Sequence, residues 1–502
     1  MTSSPEGGWA GAAGPVTVDV VVVGAGFAGL GAALELAGRA ESFVVLERAA
    51  EVGGTWRDNT YPGVACDVPS HLYAFSHSPN PAWSRTFAPG HEIQAYLREL
   101  AARPGVAENV RCGHEVTAAV YDEAGDRWDV TTTRGAFRSR VLVLAAGRLT
   151  EPRIPRVPGL GEFDGPVFHS SRWDHGADLA GARVGVVGTG ASAVQIVPEL
   201  AGRAGRLTVF ARSVPYVVPR GDRPHTVAEI RTFTEDPAAL QAVRRDIFDG
   251  MERGMAARRR EPDELGQFRR RALDHLAAQV PDPVLRARLT PDYEVGCKRV
   301  LLSDTFYPAL GRDDVDVVDA LERLEGRTAV SASGRRVELD ALVLATGFHS
   351  TRQPYAHLVA GRGGALLAQA WSAGMVSHAS TVVHGFPGMF VLDGPNASLG
   401  HNSAVHVIES QVSYLAGALD HLASAPGPLE VTAQAQQEYT RVVDAMAADT
   451  VWLRGGCTNW YVDDRSGRLT LLWPGTATAF RERNGRFDPA AFAPVPPRVP
   501  VS

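Results

Sequence analysis

Two short glycine-rich stretches have the spacing that holds the pyrophosphate of a dinucleotide. Residues 24–29 read GAGFAG, and residues 188–193 read GTGASA, with Ala193 as an accepted variant at the third glycine position. Glycine permits a tight turn and lets backbone N–H groups approach a phosphate, and the positive end of the next helix stabilises the same anion. The sequence therefore predicts two dinucleotide sites in one chain.

The residue that ends the second strand of each unit indicates which nucleotide binds there. Glu47 stands about twenty residues beyond the first loop, where a carboxylate accepts hydrogen bonds from the ribose hydroxyls of an adenosine. Arg212 holds the corresponding place in the second unit. An arginine attracts the 2′-phosphate that an acid would repel, which favours NADPH over NADH, although a surface arginine is the alternative. The two sites together indicate FAD and NADPH exchanging a hydride.

Buried strands and helices are predicted around both loops. Valine-rich runs at residues 18–23 and 184–187 are typical of strands covered on both faces of a parallel sheet. Each run enters its glycine-rich loop, and a helical pattern follows at residues 30–36 and 194–200. Residues 222–290 lack a strand pattern and are rich in Ala, Leu, Arg and Glu. The predicted fold class is α/β, with two Rossmann-like dinucleotide-binding domains and a helical insertion.

Two further features could contribute to the chemistry. Residues 53–67 are rich in Gly, Trp, Tyr and Pro, which suits contact with a flat aromatic cofactor, although an aromatic loop with two turns is the simpler interpretation. Asp67, at the end of this stretch, is a candidate charged group beside the cofactor ring. Lys298 is the only lysine in the chain, and its compact ammonium indicates a specific task such as phosphate contact.

Composition argues against several classes of protein. With 502 residues, 45% of them hydrophobic and 21% charged, the chain predicts two or three globular domains. Its net charge of -6 gives no general reason to expect nucleic acid or an anionic membrane as a partner. Residues 1–15 lack a signal-peptide pattern and no apolar run reaches membrane-spanning length, so a cytoplasmic location is expected. The four cysteines form no C-x-x-C pair, so no metal site and no redox-active disulfide are predicted, which argues against a disulfide reductase.

The stretch FDGPVFHSSRWD precedes the second glycine-rich loop and, taken alone, reads as an ordinary interdomain connection. Phe163, Gly165, His169, Trp173 and Asp174 nevertheless match every specified position of the fingerprint of type I Baeyer-Villiger monooxygenases. These enzymes belong to the class B flavoprotein monooxygenases, and the chain resembles them over nearly its whole length. Three other stretches are similar to signatures of the same family, in the same order: residues 53–67, 296–300 and 345–347.

The resemblance implies a reaction and roles for individual residues. NADPH would reduce FAD, a peroxyflavin would form with dioxygen, and one oxygen atom would be inserted next to the carbonyl of a small-molecule ketone, giving an ester or lactone. Arg299 would be the catalytic arginine and Asp67 its carboxylate partner. The implied FAD contacts are Gly24, Gly26, Gly29, Glu47, Gly54, Thr55, Trp56, Asp67 and Tyr73. The implied NADPH contacts are Gly188, Gly190, Ser192, Arg212 and Lys298.

The resemblance also implies a division of the chain. The FAD-binding domain would comprise residues 16–150 and 385–502, with a substrate-shaping region at its end. The NADPH-binding domain would comprise residues 151–221 and 293–384, around a helical insertion at residues 222–292. His169 and Trp173 would influence the linker and the domain motion rather than transfer protons.

Two alternatives remain at this point. The nearer one is an N- or S-oxygenating flavin-containing monooxygenase, although those enzymes usually carry another aromatic residue where Trp173 stands. The more distant one is a flavin-binding protein without turnover. The sequence leaves open which ketone is oxidised and how many copies of the chain associate.

Overall fold

Two sheets, each with a strand that leads into a glycine-rich loop, organise the chain. The computed structural model describes residues 14–424 and 427–494. Most of residues 1–15, where no signal peptide is predicted, and the last residues of the predicted 385–502 segment lie outside the described residues.

Strands occur throughout the described part of the chain. The first ten are β1 (Val16–Val23), β2 (Phe43–Glu47), β3 (Val110–Cys112), β4 (Val116–Asp122), β5 (Arg127–Thr132), β6 (Gly135–Leu144), β7 (Val167–His169), β8 (Arg183–Val187), β9 (Arg206–Ala211) and β10 (Val217–Val218). They are followed by β11 (Leu301–Leu302), β12 (Val315–Asp319), β13 (Leu321–Glu325), β14 (Thr328–Ser331), β15 (Arg336–Glu338), β16 (Ala341–Leu344), β17 (Val359–Ala360), β18 (Met389–Val391), β19 (Leu429–Val431) and β20 (Phe492–Pro494).

The α-helices of the same residues include three in the first nucleotide unit and one after the second glycine-rich loop. These are α1 (Phe27–Leu36), α2 (Thr55–Asp58), α3 (Gly90–Ala101) and α4 (Ala191–Leu200). The insertion contains α5 (Val227–Glu235), α6 (Pro237–Glu252), α7 (Gly254–Arg258), α8 (Pro262–Gln279) and α9 (Pro283–Arg288). The remainder are α10 (Phe306–Leu310), α11 (Leu367–Ala370), α12 (Ala404–Ser424), α13 (Ala433–Ala447), α14 (Val451–Arg454) and α15 (Ala477–Asn484).

The first sheet has the strand order β17-β4-β5-β6-β1-β2-β3, and β18 also pairs with β6. β1 lies parallel to both β2 and β6, so the carboxyl ends of these three strands meet where the first glycine-rich loop begins. Val20 and Val22 pack into one buried cluster with α1 and α12, whereas Val18 and Val21 pack into another on the opposite face. Burial on both faces explains why β1 is a continuous apolar run.

The second sheet has the strand order β12-β9-β8-β16-β7, and every neighbouring pair in it is parallel. β8 leads into the second glycine-rich loop and then into α4, and β9 follows as the second strand of that unit. The fingerprint stretch contributes β7, at one edge of this sheet. Two strand-loop-helix-strand units, each in its own sheet, confirm the predicted fold class.

The insertion between the two halves of the second unit is helical, as predicted. Its helices begin at strong local signals: Thr226 and Glu229 form a capping box at α5, and Asp236 caps α6, which has Pro237 in its first turn. At the end of α6, Glu252 accepts hydrogen bonds from the backbone N–H groups of residues 477 and 478. The insertion is therefore joined to the segment that starts α15.

One predicted boundary differs from the observed sheet. β17 pairs in parallel with β4, so the chain rejoins the first sheet at residue 359, earlier than the predicted return at residue 385. A strand of two residues is too short to show a hydrophobic period, which is why the sequence did not indicate it. None of the helices in residues 14–424 and 427–494 is long and apolar enough to cross a membrane.

Candidate active site

The two glycine-rich loops have the same backbone construction. Gly24 has a φ of 103°, and a Cβ atom there would lie 2.5 Å from the carbonyl oxygen of Ala145. Gly188 has a φ of 115°, and a Cβ atom there would lie 2.4 Å from the carbonyl oxygen of Ala345. A side chain is excluded at both positions by the conformation and by the neighbouring strand. Each loop is thus pressed against the end of a parallel strand, β6 in one sheet and β16 in the other.

The helices that follow these loops begin without a capping side chain. Among the described residues, no side chain accepts a capping hydrogen bond at the start of α1 or of α4, each of which has ten residues. Elsewhere in the chain Thr432 and Thr476 cap α13 and α15 with their hydroxyls. The first N–H groups of a helix need acceptors, and a phosphate meets this need well. Both loops therefore fit the pyrophosphate of a dinucleotide.

Glu47 ties the first loop to the end of β2. Its side chain is buried, and its carboxylate accepts hydrogen bonds from the backbone N–H groups of Ala25 and Ala49, each at 2.9 Å. The Arg57 Nη1 atom also donates to it at 2.9 Å. The sequence indicated Glu47 but not Arg57, which lies ten residues later and is brought back by α2. The carboxylate stands beside the glycine-rich loop, where an adenosine ribose would lie.

Arg212 and Lys298 line one cavity of about 360 Å³ together with Ser213, Tyr293 and Cys457. The Lys298 Nζ atom donates to the Ser213 hydroxyl at 2.7 Å and lies 4.6 Å from the centre of the Tyr293 ring. Burial and the positive charge of Arg212 lower the pKa of Lys298 below its ordinary value. Arg212 and Lys298 repel each other, so an anionic ligand bound between them would be favourable. The 2′-phosphate of NADPH is such a group.

Asp67 and Arg299 form an ion pair between the two halves of the site. The Arg299 Nε and Nη2 atoms both approach Asp67 Oδ2, at 2.8 Å and 2.5 Å. The carboxylate charge raises the pKa of Arg299 above its ordinary value. Both side chains keep about a third of their surface exposed, 34% for Arg299 and 32% for Asp67, so the pair faces open space. The structure brings together the two residues that the resemblance named as catalytic partners.

Aromatic side chains lie beside this pair. The Trp56 Nε1 atom donates to the Tyr73 hydroxyl at 3.3 Å, and the Tyr73 ring packs edge-on against Phe27 with 5.0 Å between ring centres. Burial raises the pKa of Tyr73, which therefore stays protonated. Gly54 and Thr55 begin α2 just before Trp56. A Cβ atom on Gly54 would lie only 3.2 Å from the Gly26 Cα atom, so the aromatic segment and the first glycine-rich loop face each other.

The structure adds three residues that the sequence did not assign to the site. Arg148 follows the carboxyl end of β6, is buried and forms an ion pair with Asp393. Burial lowers the pKa of Arg148 to about 10. The Tyr461 side chain is almost fully buried, and burial raises its pKa while the positive charge of Arg299 acts in the opposite direction. A position at the end of a parallel strand was the available signal for Arg148, because ligands of α/β sheets bind at that edge.

The fingerprint residues contact the second sheet and not the Arg299 pair. His169 ends β7, is buried and accepts a hydrogen bond from the backbone N–H of Ser171 at 3.1 Å. Burial lowers the pKa of His169 to about 4, so the ring is neutral at neutral pH. Trp173 packs edge-on against Phe168 with 5.0 Å between ring centres. Both contacts lie within residues 168–173, at the edge of the second sheet.

A second contact joins the two nucleotide units directly. The Tyr61 hydroxyl donates to the side chain of Gln195, which lies in α4, at 3.0 Å. Gln195 in turn donates to the carbonyl of Ala65 at 2.9 Å. Gln195 therefore lies where the segment before Asp67 meets the second unit, and Ser192, predicted to contact the pyrophosphate of NADPH, lies in the same helix.

Two cysteines are bonded to each other, which the sequence did not indicate. Cys297 and Cys457 form a disulfide, although they are 160 residues apart in the chain. Cys297 directly precedes Lys298 and Arg299, and Cys457 lies four residues before Tyr461. A C-x-x-C pattern can indicate only a pairing of cysteines that are close in sequence. Its absence therefore gave no information about a pairing over 160 residues.

Comparison with known proteins identifies the family. Residues 21–235 match the family model of pyridine nucleotide-disulphide oxidoreductases. Over 96% of its length, the chain is 45% identical to a Baeyer-Villiger monooxygenase of Streptomyces coelicolor, of which it covers 94%. The chain belongs to the Baeyer-Villiger monooxygenase family. Solved structures of similar monooxygenases agree with this membership.

The crystal structure of cyclohexanone monooxygenase from Rhodococcus sp. Phi1 bound to NADP+ superposes with a TM-score of 0.84. This chain and that chain are 28% identical, with 93% and 96% of their lengths covered. A crystal structure of OTEMO in complex with FAD and NADP gives a TM-score of 0.82 at 26% identity, with 93% and 96% covered. The predictions of the family, the two cofactors and an NADPH-dependent flavoprotein monooxygenase of the Baeyer-Villiger type are confirmed. The roles of individual site residues stay predictions.

Proposed function

We propose that this Baeyer-Villiger monooxygenase oxidises its ketone in the space lined by Arg299, Asp67 and Tyr461. The observation that carries the proposal is the ion pair of Arg299 with Asp67, which faces open space. A small-molecule ketone and dioxygen are its substrates, and FAD and NADPH are its cofactors. The product is an ester or a lactone, because one oxygen atom enters next to the carbonyl.

Arg299 stabilises negative charge where the reaction creates it. When bound, FAD and NADPH supply the reducing equivalents and the activation of dioxygen. The ketone oxygen gains negative charge as its carbonyl carbon is attacked, and a guanidinium beside it favours that change. Arginine suits this task because it keeps its proton at neutral pH, and Asp67 raises the pKa of Arg299 further.

Asp67 and Tyr461 position the guanidinium. Asp67 binds one side of Arg299 through two nitrogen atoms, which sets the plane of the group. Tyr461, in the segment that follows Cys457, has a pKa on which the positive charge of Arg299 acts. The carboxylate also balances the positive charge of Arg299 when no other anion is present.

The first nucleotide unit is proposed to bind FAD. The backbone of Gly24, Gly26 and Gly29, with the uncapped start of α1, would hold the pyrophosphate, and Glu47 would accept the ribose hydroxyls. Gly54, Thr55, Trp56 and Tyr73 would surround the flavin. The close approach of Gly54 to Gly26 supports this placement, because it brings the aromatic segment to the loop that would hold the pyrophosphate.

The second unit is proposed to bind NADPH. Gly188, Gly190 and Ser192, at the uncapped start of α4, would hold its pyrophosphate. Arg212 and Lys298 would bind the 2′-phosphate in the cavity they share. This requirement for NADPH, which is regenerated inside cells, also supports the proposed cytoplasmic location.

His169 and Trp173 are proposed to act on the joint between the units rather than on the substrate. Their contacts with Ser171 and Phe168 hold β7 at the edge of the second sheet. We propose no macromolecular partner, such as nucleic acid, for this enzyme. The number of copies of the chain that associate is left open.

Replacing Arg299 by Ala tests the proposal. We expect NADPH to bleach the flavin of the variant in the absence of oxygen at close to the wild-type rate. Ester formation from any ketone that the wild type accepts should fall about 100- to 1000-fold, because one stabilising donor is removed. Rapid-mixing absorbance measures the first step and product mass measures the second. Normal ester yield from Arg299→Ala would remove Arg299 from the chemistry.

A flavin-containing monooxygenase that oxidises nitrogen or sulfur is the second candidate. Matched assays with a ketone, an amine and a sulfide separate the two functions. Faster NADPH consumption with the ketone, with ester as the product, is the expected result, and oxidation of the amine or sulfide alone would favour the alternative.

A further inference from the structure

The disulfide between Cys297 and Cys457 lies at the cavity that is proposed to hold the 2′-phosphate of NADPH. Residues 456–458, the 456–458 loop, line this cavity with Arg212 and Lys298. Cys297 directly precedes Lys298 and is fully buried, whereas Cys457 is partly exposed. The bond therefore connects the segment that carries one cation of the cavity to a loop that forms part of its wall.

The two segments that carry the cations are joined by hydrogen bonds. The Lys298 Nζ atom donates to the Ser213 hydroxyl at 2.7 Å. The Tyr293 hydroxyl donates to the Val214 carbonyl at 2.9 Å. Because Arg212 directly precedes Ser213, both cations belong to segments that these bonds fix to each other.

The 456–458 loop is not held in this way. None of its backbone N–H groups donates a hydrogen bond to another residue of the described part of the chain. Before the loop, the Gly455 carbonyl accepts a hydrogen bond from the Glu294 N–H at 2.9 Å. After the loop, the Asn459 side chain donates to the Trp452 carbonyl at 2.8 Å. Between these two anchors, the disulfide is the link that ties the loop to the rest of the cavity wall.

We propose that the disulfide positions the 456–458 loop on the cavity, and that reduction of the disulfide by a dithiol weakens the binding of NADPH. With the bond formed, the wall is ordered before the nucleotide arrives. With the bond broken, part of the binding free energy is used to order the loop. The inference rests on the function proposed for Arg212 and Lys298. It adds Cys297 and Cys457 as positioning residues and makes nucleotide affinity depend on redox state.

The proposed cytoplasmic location supports a bond that forms and breaks. Thiols are kept reduced in the cytoplasm, and the disulfides that do form there are usually transient, catalytic or redox-sensing. Cys457 lines a cavity and is partly exposed, so it is the half of the disulfide that a reductant in solution can reach first.

Reduction takes place in two thiol–disulfide exchanges. One thiolate of the dithiol attacks the Cys457 Sγ atom, the bond to Cys297 breaks, and Cys297 leaves as a thiolate that takes up a proton. The second thiolate of the reductant then attacks its own sulfur that is bonded to Cys457, and Cys457 leaves and is protonated. The protein gains two electrons and two protons, and the dithiol is oxidised to a disulfide.

The redox state of the cysteines is measured in the FAD-loaded enzyme. The protein is equilibrated with mixtures of oxidised and reduced dithiothreitol, denatured and alkylated, and its peptides are weighed. We expect Cys297 and Cys457 to be protected from alkylation together in the oxidised enzyme and modified together after reduction. Cys66 and Cys112, which are free in the structure, should be modified in both states.

Nucleotide binding is measured by calorimetry on the same two preparations. We expect reduction to weaken NADP+ binding by about 10-fold. NAD+ has no 2′-phosphate, and its binding should change by less than about threefold. Cys457→Ser should show the weaker NADP+ affinity and no response to dithiothreitol. Cys112→Ser is the matched control and should respond as the wild type does.

A merely structural disulfide has a different signature. Its loss would lower Tm and flavin content without changing the preference for NADP+ over NAD+. A positioning role also requires the reciprocal effect, because two coupled equilibria shift each other by the same factor. Saturating NADP+ should make the disulfide about 10-fold harder to reduce, which lowers its midpoint potential by about 30 mV. NAD+ at saturation should shift it much less.

The outcomes distinguish failure of the inference from failure of the function beneath it. The inference is wrong if Cys297 and Cys457 are free thiols in the oxidised enzyme, if reduction leaves NADP+ affinity unchanged, or if it changes NAD+ affinity equally. The proposed nucleotide site is itself wrong if Arg212→Glu leaves the affinity for NADP+ unchanged. If Cys457→Ser does not fold, the dithiothreitol titration of the wild type with and without NADP+ decides the question.

Discussion

The two nucleotide units have the same backbone construction at their glycine-rich loops. They differ in the charge of the residue that ends the second strand. In each unit, a glycine with positive φ presses against an alanine carbonyl at the end of a parallel strand, and the next helix begins without a capping side chain. At the end of the second strand, one unit has Glu47 and the other has Arg212. We propose that the shared backbone binds a pyrophosphate and that the residue at the strand end determines which dinucleotide each unit takes.

The partners of these two residues differ as well. Glu47 is buried and held by two backbone N–H groups and Arg57. Arg212 lines an open cavity beside Lys298, and neither has a carboxylate ion-pair partner among the described residues. A ribose hydroxyl needs a fixed acceptor, whereas a phosphate dianion needs positive charge. The comparison therefore predicts that substitutions in one unit affect one cofactor only.

Replacing Glu47 by Ala should have the largest effect on cofactor binding. The change removes the ribose acceptor and leaves Arg57 without its buried partner, so FAD affinity should fall about 100-fold. Flavin content after gel filtration and a titration with FAD measure the loss. Glu51→Ala, at a half-buried position close in sequence whose carboxylate pairs with Arg98, is the matched control. If affinity for NADP+ fell equally in Glu47→Ala, the two units would not be independent.

Reversing the charge in the second unit should have the next largest effect. Arg212→Glu places an acid where the first unit has one, and it should raise KM for NADPH about 10- to 100-fold while leaving KM for NADH nearly unchanged. Steady-state oxidation of each nucleotide by the same preparation provides the measurement, with Arg203→Ala as an exposed control. Equal changes for NADPH and NADH would separate Arg212 from the 2′-phosphate.

Lys298 should have a smaller effect that depends on pH. Only the protonated ammonium attracts the phosphate, and its pKa in the protein is lower than that of an ordinary lysine. Affinity for NADP+ should therefore weaken as pH rises through this lowered pKa, earlier than for a solvent-exposed lysine. Arg keeps its charge, so Lys298→Arg should show a flat profile between about pH 7 and pH 10. A wild-type profile that is also flat would argue against phosphate contact by Lys298.

Most of this comparison could be predicted from the sequence. A strand, a loop, a helix and a second strand follow one another within a short stretch. Glu47 and Arg212 can therefore be located by their distance along the chain from the glycine-rich loops. Asp67 and Arg299 lie far apart in the chain, and only the resemblance to a known family joined them. A strand of two residues is too short to show a hydrophobic period. For this reason β17 and the return to the first sheet at residue 359 were not predicted.

Contacts between residues that are far apart in the chain could not be predicted from the sequence. Arg148 meets Asp393, and Cys297 is bonded to Cys457, although neither pair shares a local pattern.

The central claim is that this chain inserts one oxygen atom of dioxygen next to a ketone carbonyl at the expense of NADPH. Incubating the enzyme with FAD, NADPH, a panel of cyclic and linear ketones and dioxygen labelled with heavy oxygen tests it most directly. The account predicts an ester or lactone that carries one heavy oxygen atom, formed in proportion to the NADPH consumed. Hydrogen peroxide in place of ester with every ketone, or an ester without the heavy atom, would contradict it.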